Sequence, residues 1–235
     1  MASEIEAHAE VKTHLGKLKA WGRGRGPAPA GIAQLGAEVW TGHKPAATNG
    51  IIVLGTPIGQ DEYVAAQGRE RMEVEQQLLD RLKDMENPTC AWPLLLWSAV
   101  PRANHILRNV QPSQCAEYAE VHDQAIWKCC CSIIGAGPTA EDGLAKRIAS
   151  MPGSLGGLGL ISAARTSRPA YWAAWFDMFP VLANRLPALT GRMMYGFRGR
   201  CPATPSATAA VTIREELIAA GGKDIPTWEE AVDGG

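Results

Sequence analysis

The chain has 235 residues, with 23 Lys plus Arg against 24 Asp plus Glu and a formal net charge of −1. At 46% hydrophobic and 20% charged it can bury a sizeable core, and its 25 Gly and 16 Pro fall short of a disordered composition. A sequence pI of about 6.5 argues against a strongly basic, free-standing nucleic-acid binder.

Residues 1–20 can start a helix near Ser3, with Ile5, His8/Ala9 and Lys12 at helical spacing. The first ten residues are acidic and lack the apolar core of a signal peptide. No run reaches the roughly 20 apolar residues of a membrane span. An intracellular protein, cytoplasmic or nuclear and without membrane contact, is expected. Gly22 to Pro29 follows as a flexible, basic Gly/Pro loop. Ile51-Ile52-Val53-Leu54 reads as a short buried strand, ended by the turn Gly55-Thr56-Pro57-Ile58-Gly59.

From Asp61 to Met85 the pattern is helical. Val64, Gly68, Met72, Glu75, Leu79 and Leu82 form a stripe that is only partly apolar, so the helix is expected to be half exposed. Pro88 suits the first turn of the next helix, and Pro101 should kink or end it. Asn104 to Val110 resumes as helix. Pro112 opens another, with Cys115, Tyr118/Ala119, His122, Ile126, Cys129/Cys130 and Ile133 at helical spacing and Gly135 placed to cap it. Glu141 to Ser150 reads as a short helix and Gly153 to Leu160 as a glycine-rich loop. Ser162 to Leu186 is an aromatic-rich helix interrupted at Pro169 and Pro180. Residues 199–211 read as a linker. Thr212 with Glu215 makes a capping box for a last helix through Ala220, and Thr227 with Glu230 can begin a final turn.

Charge is uneven. Residues 140–210 carry eight basic groups against three acidic ones, whereas 61–90 and 211–235 are acidic. The near-neutral total therefore hides one basic block.

The chemistry-bearing residues mostly read as structure. The glycine loop lacks the preceding strand and the Gly-Lys-Ser/Thr ending of a phosphate loop, so a tight helix connection is expected there. No Cys-x-x-Cys or His-Glu-x-x-His occurs. Cys129, Cys130 and Cys131 point about 100° apart around a helix and cannot share a metal. The cysteines are expected to be ordinary buried thiols, and His122, on an apolar stripe, a core histidine. No Asp-Asp pair is available for two-metal phosphoryl chemistry. No metal and no cofactor is expected. The eight Trp read as helix-packing residues. Arg102, Arg108, Arg165, Arg168, Arg192, Arg198 and Arg200 are candidates for phosphate contact.

The order of segments resembles a known family. Leu15-Gly16-Lys17-Leu18-Lys19-Ala20-Trp21, followed by Val53-Leu54-Gly55-Thr56-Pro57-Ile58-Gly59, is similar to the end of the palm in non-LTR (LINE-type) retrotransposon reverse transcriptases. In these a Leu-Gly turn forms the primer-grip region. Cys90-Ala91-Trp92-Pro93-Leu94-Leu95-Leu96 with Pro101-Arg102-Ala103-Asn104-His105-Ile106-Leu107-Arg108 looks like their helical thumb. His122-Asp123, then Gly156 to Ala163, then Tyr171-Trp172-Ala173-Ala174-Trp175, resembles the helical region downstream. The likeness covers roughly residues 10–190, and the family's catalytic Asp-Asp turn is missing from this sequence.

The resemblance implies a fragment of an RNA-directed DNA polymerase without catalysis of its own, holding a template–primer duplex of RNA or DNA weakly at most. It implies four segments: 1–60 as a palm-end remnant, 61–150 as a thumb-like region, 151–198 as a downstream helical region, and 199–235 as a linker and short helix. The expected fold is mainly α, a thumb-like array with a small β element around 51–54. By the same resemblance Thr56, Pro57, Ile58 and Gly59 lie near the primer end, and Arg102, Asn104, Arg108, Arg165 and Arg168 are nucleic-acid contacts. The alternative is a helical protein-interaction module that does not touch nucleic acid. A nucleotide site at the glycine loop is the third reading.

Overall fold

The computed structural model describes residues 17–24, 26–137, 142–199, 202 and 204–233. The helix expected near Ser3 lies outside the described residues. The fold is mainly helical with one small antiparallel sheet. The chain divides into two compact units, residues 1–67 and 68–235.

In the N-terminal unit a one-turn helix α1 (Ala30–Ala33) and a 3-10 turn (Ala46–Thr48) precede a hairpin of β1 (Gly50–Val53) and β2 (Thr56–Gly59). The register pairs Ile51 with Ile58 and Val53 with Thr56. Leu54 and Gly55 close the hairpin, both at positive φ (50° and 80°), as a two-residue turn between twisted strands requires. Two expectations are corrected here. The run Ile51–Leu54 is not a buried strand: Ile52, Val53 and Leu54 are 56%, 42% and 93% exposed. Thr56–Gly59 is not a turn but the second strand. A two-stranded ribbon has too few neighbours to bury both faces.

This unit is pinned by polar contacts. Asn49, 1% exposed, accepts from Trp21 Nε1 (2.6 Å) and donates to the carbonyls of Gly42 (2.9 Å) and Lys44 (3.2 Å). Trp40 Nε1 donates to Gly26 O (3.0 Å). The Tyr63 ring lies against Gly50 and Gly59, where any side chain would collide with it. Tyr63 belongs to α2 (Asp61–Lys83), in which the unit boundary falls.

In the C-terminal unit α2 buries Met72, Glu75, Leu79 and Leu82. Asn87 caps α3 (Pro88–Leu94), accepting from Thr89 N at 2.9 Å. The chain continues as one π turn (Leu95–Ala99), a 3-10 turn (Val100–Ala103) and α4 (Asn104–Asn109). Pro101 has no N–H to give the Trp97 carbonyl four residues back. The helix widens there, and Val100 N bonds Leu95 O instead.

Helix α5 spans Pro112–Ile133 and ends at Gly135 (φ +68°). Then come α6 (Asp142–Ala149), α7 (Ala163–Arg185), α8 (Pro187–Arg198), α9 (Pro205–Ala219) and α10 (Trp228–Asp233). Helix α7 packs against α4, α5, α8, α9 and α10.

Three further expectations are corrected. Helix α7 runs unbroken through Pro169 and Pro180. Each proline forfeits one backbone bond, and packing holds the helix: its Trp172 and Phe179 form a buried cluster with Phe197 and Trp228, Trp172 and Trp228 edge to face at 4.5 Å between centroids. Helix α9 starts at Pro205, capped by Thr204 Oγ1 accepting from Ala207 N (3.2 Å). The expected linker 199–211 is thus shorter, and Thr212 sits inside a helix rather than at its cap. Trp97, read as a packing residue, is 77% exposed in the π turn. The capping box of α10 is as expected, with Thr227 N donating to Glu230 Oε2 (2.6 Å) and Glu230 N to Thr227 Oγ1 (3.2 Å).

Candidate nucleic-acid interface and a buried ionic cluster

The basic candidates fall into two states. Arg102 ends the 3-10 turn and Asn104 opens α4; both are exposed. Arg165 lies in the first turn of α7, also exposed. The guanidinium groups of Arg102 and Arg165 have no partner among the described residues. Arg108 and Arg168 are engaged. Arg108 Nη2 lies 2.6 Å from Asp177 Oδ2, which joins α4 to α7. Arg168 Nε lies 2.9 Å from Glu216 Oε2, which joins α7 to α9. The run from α3 to α4 is free of carboxylates: no Asp or Glu occurs between Glu86 and Glu117. Trp97 stands exposed on that run, a feature signalled in the sequence only by the proline four residues after it.

The hairpin candidates play mixed parts. Pro57 is buried, Gly59 receives the Tyr63 ring, Thr56 is half-buried and Ile58 is 41% exposed. Pro57 and Gly59 therefore have a packing reason for their identity.

A buried ionic cluster joins α2 to α5. Glu75, 3% exposed, accepts from Tyr118 OH (2.9 Å) and Arg71 Nε (3.0 Å) on Oε1 and meets His122 Nδ1 (2.9 Å) on Oε2. Arg71 reaches on with Nη2 to the carbonyl of Arg102 (2.9 Å). Burial pushes the Glu75 carboxyl up. The hydrogen bonds and charge of His122, with those of Tyr118 and Arg71, outweigh it and hold the group below its usual range. Burial, then the Glu75 charge, pushes the Tyr118 phenol up. His122 Nε2 is buried with no hydrogen-bond partner among the described residues.

A carboxylate-oriented imidazole is half of a nucleophile-activating pair. Here the second ring nitrogen is sealed by packing, so the arrangement ties helices together and offers no base to a substrate. The sequence places Glu75 on the buried stripe of α2, yet its partner at position 122 is 47 residues away.

Next along α5, Asp123 caps α7. Its Oδ1 accepts from Ala163 N (2.7 Å), and its Oδ2 from Ser162 Oγ (2.6 Å) and Ala164 N (3.2 Å). The N-terminus after the glycine loop is therefore filled by the chain's own carboxylate. A phosphate at that loop would have to displace it. Gly157 approaches the Met151 carbonyl so closely that any side chain would collide, which makes the loop a tight connection.

Burial raises the thiols of Cys115, Cys129 and Cys130 to about 11, away from reactive thiolate character. Cys90, in contrast to the expectation, is exposed. Among the described residues no group of three His, Cys, Asp or Glu side chains could hold a metal ion, and no helix is long and apolar enough to cross a membrane.

An open groove of about 850 Å³ lies between α5, α7 and α9, lined by Ala116, Ala119, Ser167, Thr208 and Thr212 with the Arg168–Glu216 pair at its side. No family model, curated protein or solved structure matches the chain.

Proposed function

We propose that this chain is a thumb-like region of a retroelement reverse transcriptase that holds a template–primer duplex by its phosphates and does not polymerise by itself. The observation that carries this reading is the carboxylate-free run from α3 to α4, on whose exposed side Arg102 is unpartnered among the described residues beside exposed Asn104. Phosphate contacts of this kind position a duplex without reading its sequence. Arg165 adds a further charge. Arg108 and Arg168 join by exchanging Asp177 and Glu216 for phosphate, which costs little because exposed ion pairs contribute little. In this reading Thr56–Gly59 lies near the primer end, with Ile58 as its exposed side chain, and the compartment is cytoplasmic or nuclear. The sequence contains no Asp-Asp pair for the metal-dependent step.

Filter binding of the full chain to a primer–template duplex at low and near-physiological salt tests this. Binding is expected at low salt. The double variant Arg102→Ala, Arg165→Ala should weaken it equally for all sequences and lower the salt slope by about two. No binding at low salt, or a double variant that binds like wild type, overturns the interface. Nucleotide incorporation overturns the non-catalytic assignment. The groove between α5, α7 and α9 favours a second reading, a helical protein-interaction module, to which a failure of nucleic-acid binding would shift the weight.

A further inference from the structure

We propose that the outer face of α8 is a second nucleic-acid contact, a stacking platform for a single-stranded segment built on Tyr195 and Arg192. The proposal rests on the phosphate-binding reading above and gives it a surface for unpaired bases.

In α8 the residues Ala188, Gly191, Arg192, Tyr195 and Arg198, continued by Gly199 just past its end, recur at three- and four-residue spacing and share one helical face. All are exposed, while Thr190, Met194 and Phe197 on the opposite side are buried. Tyr195 is 83% exposed, a large ring left in water. Arg192 stands one turn before it, its guanidinium unpartnered among the described residues.

Gly191 adds a separate indication. Among the described residues, and apart from its own stretch of helix backbone, nothing lies within 4 Å of the position its Cβ would occupy. Glycine inside a helix is less favourable than alanine, and no packing among the described residues calls for it here. A bare backbone beside the ring lets a ligand come close.

Charge selects the ligand. From Asp177 to Glu215 the sequence has no intervening carboxylate but carries Arg185, Arg192, Arg198, Arg200 and Arg214. Arg198 is paired with Glu229 (2.8 Å), and Arg214 Nε donates to Pro226 O (2.9 Å). Arg185 and Arg192 remain unpartnered among the described residues. Free guanidinium groups beside an exposed ring suit a polyanion whose units carry accessible π faces. Bases in a duplex are stacked inside it, so a single strand is the fitting ligand.

The test is fluorescence anisotropy of the full chain with a labelled oligothymidylate and with a duplex of equal length, at low salt. Tyr195→Ala should weaken single-strand binding about fivefold to tenfold, and Tyr195→Phe, which keeps the ring, should bind like wild type. Duplex binding by Tyr195→Ala should change less than about twofold. Gly191→Leu should lower single-strand affinity with an unchanged circular-dichroism spectrum. Single-strand affinity unaltered in both Tyr195→Ala and Gly191→Leu overturns the platform, and duplex binding that survives in wild type shows that the first reading stands without it. Absence of binding to either probe overturns both. Self-association lost in Tyr195→Ala with single-strand binding intact makes the face a protein contact and also overturns the proposal.

Discussion

The N-terminal unit and the α7–α10 cluster both depend on tryptophan, in opposite ways. Trp21 and Trp40 are held by their ring N–H groups, on Asn49 and on the Gly26 carbonyl. Trp172, Trp175 and Trp228 are held by other rings, with centroid separations of 4.3–6.4 Å across the cluster. A ring core is non-directional and tolerates backbone faults, which is why α7 passes two prolines. A unit whose strands are largely exposed must fix its loops by directed hydrogen bonds, and there a single polar side chain matters most.

The largest effect should come from the ring core. Phe179 is fully buried and touches Trp175, Phe197 and Trp228. Phe179→Ala should cost about 3–5 kcal/mol, as transfer and cavity contributions add. Urea unfolding followed by helical circular dichroism measures it. A loss under about 1 kcal/mol would mean that the cluster collapses around the gap, at odds with the packing described.

The next effect probes a polar hub inside the helical unit. Glu75→Gln leaves Arg71 without its carboxylate and presents an amide to three donors. At neutral pH it should cost about 3 kcal/mol, the lower end for breaking a buried pair. The pH dependence has a definite sign. A carboxyl depressed in the fold contributes stability that is fully present above its unfolded value, near 4.5, and is lost as pH falls through the lower folded value. The gap between wild type and Glu75→Gln should therefore narrow below about pH 4. A gap independent of pH from 7 down to about 3 would show that the fold does not lower the Glu75 carboxyl, and a gap that widens as pH falls from 7 toward about 4.5 would show that the group is not ionised in the fold.

How much of this was legible depends on range. Local chemistry read well: Pro112 and Gly135 bound α5, and Thr227 with Glu230 opens α10. Features set by distant partners did not. Whether Pro169 and Pro180 break α7 depends on how the whole helix packs, on partners such as Phe197 and Trp228 that no window around the prolines contains. Thr212 has the capping-box spacing, yet the burial of Ala207 and Ala210 carries the helix back to a cap at Thr204. Ile51–Leu54 has the composition of a buried strand, but burial needs a covering layer that a two-stranded hairpin lacks. At the basic candidates charge is legible but its state is not: Arg102 is unpartnered among the described residues and Arg108 paired because Asp177 approaches only one of them.

The smallest of the three effects closes the comparison. The Asn49 side chain makes three hydrogen bonds in a site with 1% exposure. Asn49→Ala leaves Trp21 Nε1 and the Gly42 and Lys44 carbonyls short of partners. It should cost about 2 kcal/mol of local stability, read as about a thirtyfold loss of hydrogen-exchange protection in the Gly50–Gly59 amides. Asn49→Asp keeps the acceptor for Trp21 but turns a carboxylate toward two carbonyls. It should therefore destabilise at least as much at neutral pH and recover in acid, once the protonated group can donate one bond again. If both variants protected the hairpin as well as wild type, the exposed strands would be held by apolar contact after all, and the contrast with the ring core would disappear.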